Sequence, residues 1–89
     1  MFEDEKIIQE LSKLIEAGRL DEFFDRFYQI VEEREDEVYE SSIDLKEKLS
    51  ALDKGIAWFT KAEAYEKCAK LVKVKEKLNE IYNGNQQMN

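Results

Sequence analysis

Eighty-nine residues with 43% hydrophobic and 39% charged side chains make a folded domain, not a disordered chain, because disorder needs low hydrophobicity together with charge. A chain of this length buries about 60–65% of its unfolded surface, enough for one modest core. Its net charge of −7 excludes attraction to nucleic acid or anionic membrane by charge alone, since both are polyanions, and the absence of histidine removes the commonest general base and metal ligand near neutral pH.

The chain has no proline and three glycines, and it is rich in Glu, Lys, Leu, Ala and Ile, straight-chain residues that lose little rotamer freedom on a helix. An all-α fold is expected, a compact bundle of three or four antiparallel helices. Apolar positions 2, 7, 8, 11, 14 and 15 follow the 3.6-residue period and predict a first helix over about 3–17. Gly18 is its natural left-handed C-terminal residue. The two-residue link Gly18-Arg19 then returns the next helix antiparallel to the first. That next helix carries the stretch Leu20 to Val31, whose apolar residues at 20, 23, 24, 27, 28, 30 and 31 cover more than half the circumference. A surface helix buries a stripe of roughly 100°, so this one is expected inside the bundle, with Phe27 and Ile30 interior.

Six charged residues follow, Glu32-Glu33-Arg34-Glu35-Asp36-Glu37, and then Val38, Tyr39 and Ser41-Ser42. Positions 24, 27, 31, 34, 38, 41, 45, 49, 52, 56 and 59 form a seam at alternating spacings of three and four. The seam permits one helix over 20–59, about 60 Å long, that buries its apolar face in an oligomeric coiled coil. The other reading breaks the chain at Ser41-Ser42 into helices over about 20–40 and 43–59, with either serine capping the second, Ser41 with Asp44 three residues on. Very long helices are rare in small domains, which favours the break.

The helix over 43–59 has Leu45, Leu49, Leu52, Ile56 and Phe59 on one face, and Gly55 weakens it by ~1 kcal/mol. Thr60 to Glu63 matches a capping box and predicts a turn at Phe59-Thr60. A last helix over 61–83 carries the seam 64, 68, 71, 78, 82, with Lys75 where an apolar member is missing, and Asn83-Gly84 ends it. Residues 1–84 read as a single domain and 85–89 as a flexible polar tail.

Two stretches resemble known helical hairpins. The string Leu14-Ile-Glu-Ala-Gly-Arg-Leu-Asp-Glu22 resembles the turn inside a tetratricopeptide unit, with Phe23-Phe24 in place of that family's small residue and no second unit at the ~34-residue period. Residues 52–78 resemble the UVR motif, the helical hairpin of bacterial nucleotide-excision repair proteins, through Leu52, Ile56, Tyr65-Glu66, Ala69, Leu71 and Leu78. Val72 and Lys73 stand where that family has arginine and aspartate. The resemblance implies protein–protein contact, not catalysis.

No catalytic constellation emerges. Cys68 lies on the apolar seam beside Ala64 and Leu71 and reads as a small hydrophobe, and one cysteine makes no internal disulfide. The i, i+4 carboxylate pairs Glu32/Asp36, Glu33/Glu37 and Asp21/Asp25 read as solvated faces. No glycine-rich phosphate loop is present. Neither an enzyme, a cofactor nor a metal is expected. The opening Met-Phe-Glu-Asp-Glu-Lys lacks the basic and apolar regions of a signal peptide, and no apolar run approaches the ~20 residues of a membrane span, so a cytoplasmic protein without direct nucleic-acid or membrane contact is expected.

Charge is unevenly spread: residues 1–45 hold 15 acidic and 5 basic side chains, residues 46–89 hold 6 and 9. The expected function is a small acidic interaction or regulatory module that self-associates and binds a protein partner through Tyr28, Glu32, Glu33, Asp36, Glu37, Tyr39 and Trp58. One alternative is an acidic inhibitor of the viral or mobile-element type that blocks a basic nucleic-acid-binding protein by charge mimicry. Another is an oligomeric bundle that sequesters a small anionic ligand with Lys70, Lys73 and Lys77.

Overall fold

The computed structural model describes residues 4–87, with side chains from 5 to 82. Five helices follow in order: α1 (Asp4–Glu16), α2 (Leu20–Glu33), α3 (Glu35–Glu40), α4 (Leu45–Lys61) and α5 (Tyr65–Gln87). No strand occurs among the described residues. The chain divides into two compact units, Met1–Ile43 and Asp44–Asn89.

In the first unit, Gly18 closes α1 as its sequence position predicts. With φ at 73°, it lets its own N–H donate to the Ile15 carbonyl at 3.0 Å and the Arg19 N–H donate to the Leu14 carbonyl at 2.9 Å. These are the paired backbone bonds of a Schellman cap, and they satisfy carbonyls that the helix end would otherwise leave open. The chain turns back at once. Arg26 Nε of α2 donates to Glu10 Oε2 of α1 at 3.0 Å, an ion pair that ties the two helices together midway along the hairpin. Ile7 on α1 and Phe24, Ile30 and Val31 on α2 are buried, while Phe27 is half-buried and stacks against Phe23. Ile30 is therefore interior as expected. Phe27 sits at the edge of the buried face instead of inside it.

The helix predicted over 20–40 is interrupted at Arg34, whose φ of −128° and ψ of 43° leave the helical region. Residues 41–43 then bend, and Asp44 precedes α4 with φ −55° and ψ 142°. Residues 20–59 are thus not one helix, and the break expected at Ser41-Ser42 is present. The capping arrangement differs from the expectation. The Ser41 hydroxyl donates back to the Val38 carbonyl at 3.4 Å, and α4 begins at Leu45, not near 43, with Asp44 as its N-cap residue and no side-chain cap bond.

In the second unit, α4 continues past the predicted turn at Phe59-Thr60. The Thr60 hydroxyl donates to the Ile56 carbonyl at 2.6 Å, the back-bonding available to a threonine within a helix, and so does not cap the helix that follows. The turn falls instead at Ala62 to Ala64, where the Glu63 N–H donates to Thr60 at 3.0 Å and the Ala64 N–H to Phe59 at 2.8 Å. This is a second Schellman cap, with Glu63 at φ 60° in the left-handed position that glycine normally fills.

The hairpin of α4 and α5 is antiparallel: Lys67 Nζ lies 5.1 Å from the Phe59 ring centroid at one end, and Lys75 Nζ donates to Asp53 Oδ1 at 2.6 Å farther along. Between them Leu52, Gly55 and Phe59 of α4 are buried, as are Leu71, Val74 and Leu78 of α5. Val74, not position 75, supplies the apolar member that the predicted seam lacked. The face of α4 keeps Leu52 and Phe59 but is rotated by about half a position, so that Lys48 and Gly55 join them while Leu45, Leu49 and Ile56 are half-buried. The aliphatic stem of a lysine can line such a stripe. Helix α5 also runs through Asn83-Gly84 to Gln87, since one glycine raises the cost of a helix by only about 1 kcal/mol without forbidding it. Of the tail expected over 85–89, residues 85–87 continue the helix and 88–89 lie outside the described residues.

The two caps make opposite predictions. Glu63→Gly should raise stability by about 1 kcal/mol in urea unfolding, because a side chain at left-handed φ costs roughly 1–2 kcal/mol. Gly18→Ala should lower it by about 1 kcal/mol even though nothing lies within 4 Å of the added Cβ, because the penalty is in the backbone. Leu78→Ala, at 0% exposure, should cost about 2–5 kcal/mol in the same assay.

Candidate interaction surface

At 100° per residue, α2 presents three faces. Phe23, Phe24, Phe27, Ile30 and Val31 form the apolar one. On the next, Glu22, Arg26, Gln29 and Glu33 make a polar ladder: Arg19 pairs with Glu22, Arg26 Nη1 donates to Gln29 Oε1 at 3.1 Å, and Gln29 Nε2 donates to Glu33 Oε2 at 3.2 Å. The ladder reaches α1 through Arg26 and Glu10. The third face is acidic. Asp21, Asp25 and Glu32 are exposed on it, with Tyr28 half-buried where it meets the apolar arc.

Beyond this helix, Glu32, Glu33, Arg34, Glu35, Asp36 and Glu37 line an open depression of about 440 Å³ at the junction of α2 and α3. Glu32, Glu33, Arg34 and Asp36 are exposed, and Glu35 and Glu37 are half-buried. In an unbroken helix Glu32 would face Asp36 and Glu33 would face Glu37 at i, i+4, each like-charge pair costing about 0.2–0.5 kcal/mol. Oε2 of Glu37 is shut off from solvent with no hydrogen-bond partner. A polar atom held this way loses its hydration without compensation.

Tyr39, on the last turn of α3, donates its hydroxyl to Glu35 Oε2 at 2.6 Å. Its phenol is held well above the usual tyrosine range, first by burial, then by this hydrogen bond and by the negative charges of Glu35 and Asp36, all of which disfavour a phenolate. Glu35 was not among the residues singled out from sequence. The signal was available, because Glu35 and Tyr39 are spaced i, i+4 and so meet on one helix face.

The expected partner-binding residues are only partly brought together. Tyr28 and Glu32 share the acidic face of α2, and Glu32, Glu33, Asp36 and Glu37 share the depression. Tyr39 stands on α3, half-buried. Trp58, also half-buried, belongs to α4 in the second unit. On α5, Lys70, Lys73 and Lys77 follow one another at spacings of three and four and fall on one side of the helix, with Lys73 and Lys77 exposed. Cys68 is half-buried against α4, its Sγ 3.4 Å from Thr60 Oγ1 and donating to the Ile56 carbonyl at 3.6 Å.

Among the described residues, no three His, Cys, Asp or Glu side chains are grouped so as to hold a metal ion, and no helix is long and apolar enough to cross a membrane. The residues behind the UVR resemblance lie on α4 and α5, with Leu52, Leu71 and Leu78 buried in that hairpin. No family model matches the chain, and neither a curated protein nor a solved structure shows significant similarity to it.

The tyrosine offers a direct test. A phenol whose folded-state pKa is raised contributes stability that is complete below its unfolded value, about 10, and is lost as pH climbs toward the folded value. Stability measured between pH 9 and 11 should therefore fall with a slope that Tyr39→Phe reduces. An unchanged slope in Tyr39→Phe would remove this tyrosine as its source.

Proposed function

We propose that the protein is a small, non-enzymatic interaction module of the cytoplasm that self-associates and binds a basic protein partner through its acidic first unit. The observation that carries this reading is the exposed stripe of Asp21, Asp25 and Glu32 on α2, continued by Asp36 on α3. Charge is distributed in step with the architecture: residues 1–43 hold 14 acidic and 5 basic side chains, and residues 44–89 hold 7 and 9. A one-signed surface of this kind speeds encounter with an oppositely charged partner and penalises partners of the same sign. The apolar contacts that seat α2 on α1 through Ile7, Phe24, Ile30 and Val31 support it by holding the acidic face outward.

The same acidic track fits an inhibitor that occupies the basic groove of a nucleic-acid-binding protein, because helical carboxylates at regular rise can replace phosphates there. Self-association is supported by Ile8 and Ile15, seven residues apart on one side of α1 and 45% and 50% exposed.

Two measurements test the reading. The triple charge reversal Asp21→Lys, Glu32→Lys and Asp36→Lys should abolish capture of a partner from the native host while leaving stability within about 1 kcal/mol, since all three positions are on the surface. Undiminished capture would overturn the acidic-surface reading. Light scattering should find a dimer or larger species that persists in 1 M salt, as an apolar interface predicts, and a monomer at all concentrations would overturn self-association.

A further inference from the structure

We infer that Arg34 is a charge-set hinge: repulsion among the carboxylates on either side of it holds α2 and α3 apart, and neutralising those carboxylates joins residues 20–40 into one helix. Helix breaks have identifiable causes, most often proline, glycine or an inserted group, and residues 20–40 contain neither proline nor glycine. The apolar spacing runs through the break, from Phe27 and Val31 to Val38. Helical hydrogen bonding also resumes immediately on both sides, with the Arg34 N–H donating to the Ile30 carbonyl at 2.8 Å and the Val38 N–H donating to the Arg34 carbonyl at 3.1 Å. Only the bonds from the N–H groups of Glu35, Asp36 and Glu37 to the carbonyls of Val31, Glu32 and Glu33 are needed to complete a continuous helix.

What opposes those bonds is charge. Glu32 and Glu33 at the end of α2 meet Glu35, Asp36, Glu37 and Glu40 of α3, and Arg34 is the one cation from 32 to 37. Acidic groups at a helix C-terminus oppose the helix dipole, whereas the same groups in the first turn of a new helix are favoured by it. Breaking at Arg34 places Glu35, Asp36 and Glu37 in the favoured first turn of α3 but leaves Glu32 and Glu33 in the last turn of α2, so the dipole terms offset one another and relief of the like-charge i, i+4 contacts remains as the cause. The depression lined by residues 32–37 is the space opened by that break. A cationic surface laid across it would remove the repulsion and the reason for the break together, so that the acidic face would change shape as it is engaged.

The test is the double variant Glu32→Gln with Asp36→Asn, both exposed, set against the control Glu5→Gln with Glu16→Gln, which removes the same charge from α1. In the double variant the Arg34 Cα chemical shift should move toward a helical value, and amide exchange at Glu35, Asp36 and Glu37 should slow by up to about fivefold, the equilibrium shift that two or three relieved like-charge contacts are worth. The control should move neither, and circular dichroism shows whether each variant is folded. An Arg34 shift that does not move in the folded double variant overturns the hinge, as does an equal change in the control.

Discussion

Two sets of backbone hydrogen bonds determine how this chain can fold. At Gly18 and again at Glu63, the last carbonyls of a helix are taken up by the N–H groups of the residues just beyond it, so each helix stops and reverses within three residues. A reversal that short leaves the next helix nowhere to pack except against the one before it. The result is a pair of helical hairpins. The ion pair between Arg26 and Glu10 in the first and that between Lys75 and Asp53 in the second lie at the edges of surfaces that the turns have already brought together. Exposed pairs of this kind contribute little to stability by themselves, and the apolar contacts beneath them carry the hairpins.

The acidic character of the first unit is felt at each structural level. It sets the faces of α2, where carboxylates in reach of Arg26 or Gln29 enter a hydrogen-bonded ladder and the others line the surface. It coincides with the end of α2 at Arg34, in a stretch with no other helix-breaking residue. It adds to the effect of burial, the larger cause, in raising the proton affinity of Tyr39, whose hydroxyl donates to Glu35. One compositional property thus coincides with local helix termination and side-chain hydrogen bonding, and it underlies the proposed partner surface.

Several features were legible from sequence because they depend on nearest neighbours along a helix. The all-α class, the cap at Gly18, the antiparallel return at residue 20 and the bend at Ser41-Ser42 follow from helix propensity and from the conformational freedom of one glycine. The i, i+4 spacing of Glu35 and Tyr39 belongs with these and was legible too. The misplaced boundaries share a cause: each rested on a local signal with a competing alternative. Thr60 could cap the next helix or bond back to Ile56, and it bonds back. Glu63 could close a capping box or take the left-handed position, and it takes the latter. Gly84 could end α5 or sit within it, and the helix continues.

The sequence by itself determined the helical class, the position of the first hairpin and the concentration of negative charge in one half of the chain, all properties that survive small errors in register. Which residues of each helix face the neighbour was decided only by tertiary structure. An apolar pattern read along α4 and α5 allowed stripes through Leu49 and Ile56 or through Lys48 and Gly55, and a seam through position 75 or through Val74. The alternatives share Leu52 and Phe59 on α4 and Leu71 and Leu78 on α5, and differ by about 50° of helix rotation. Propensity does not distinguish them, because a helix is equally stable about its own axis at any rotation, and the choice is made when Leu52 and Phe59 pack against Leu71, Val74 and Leu78 in the closed hairpin.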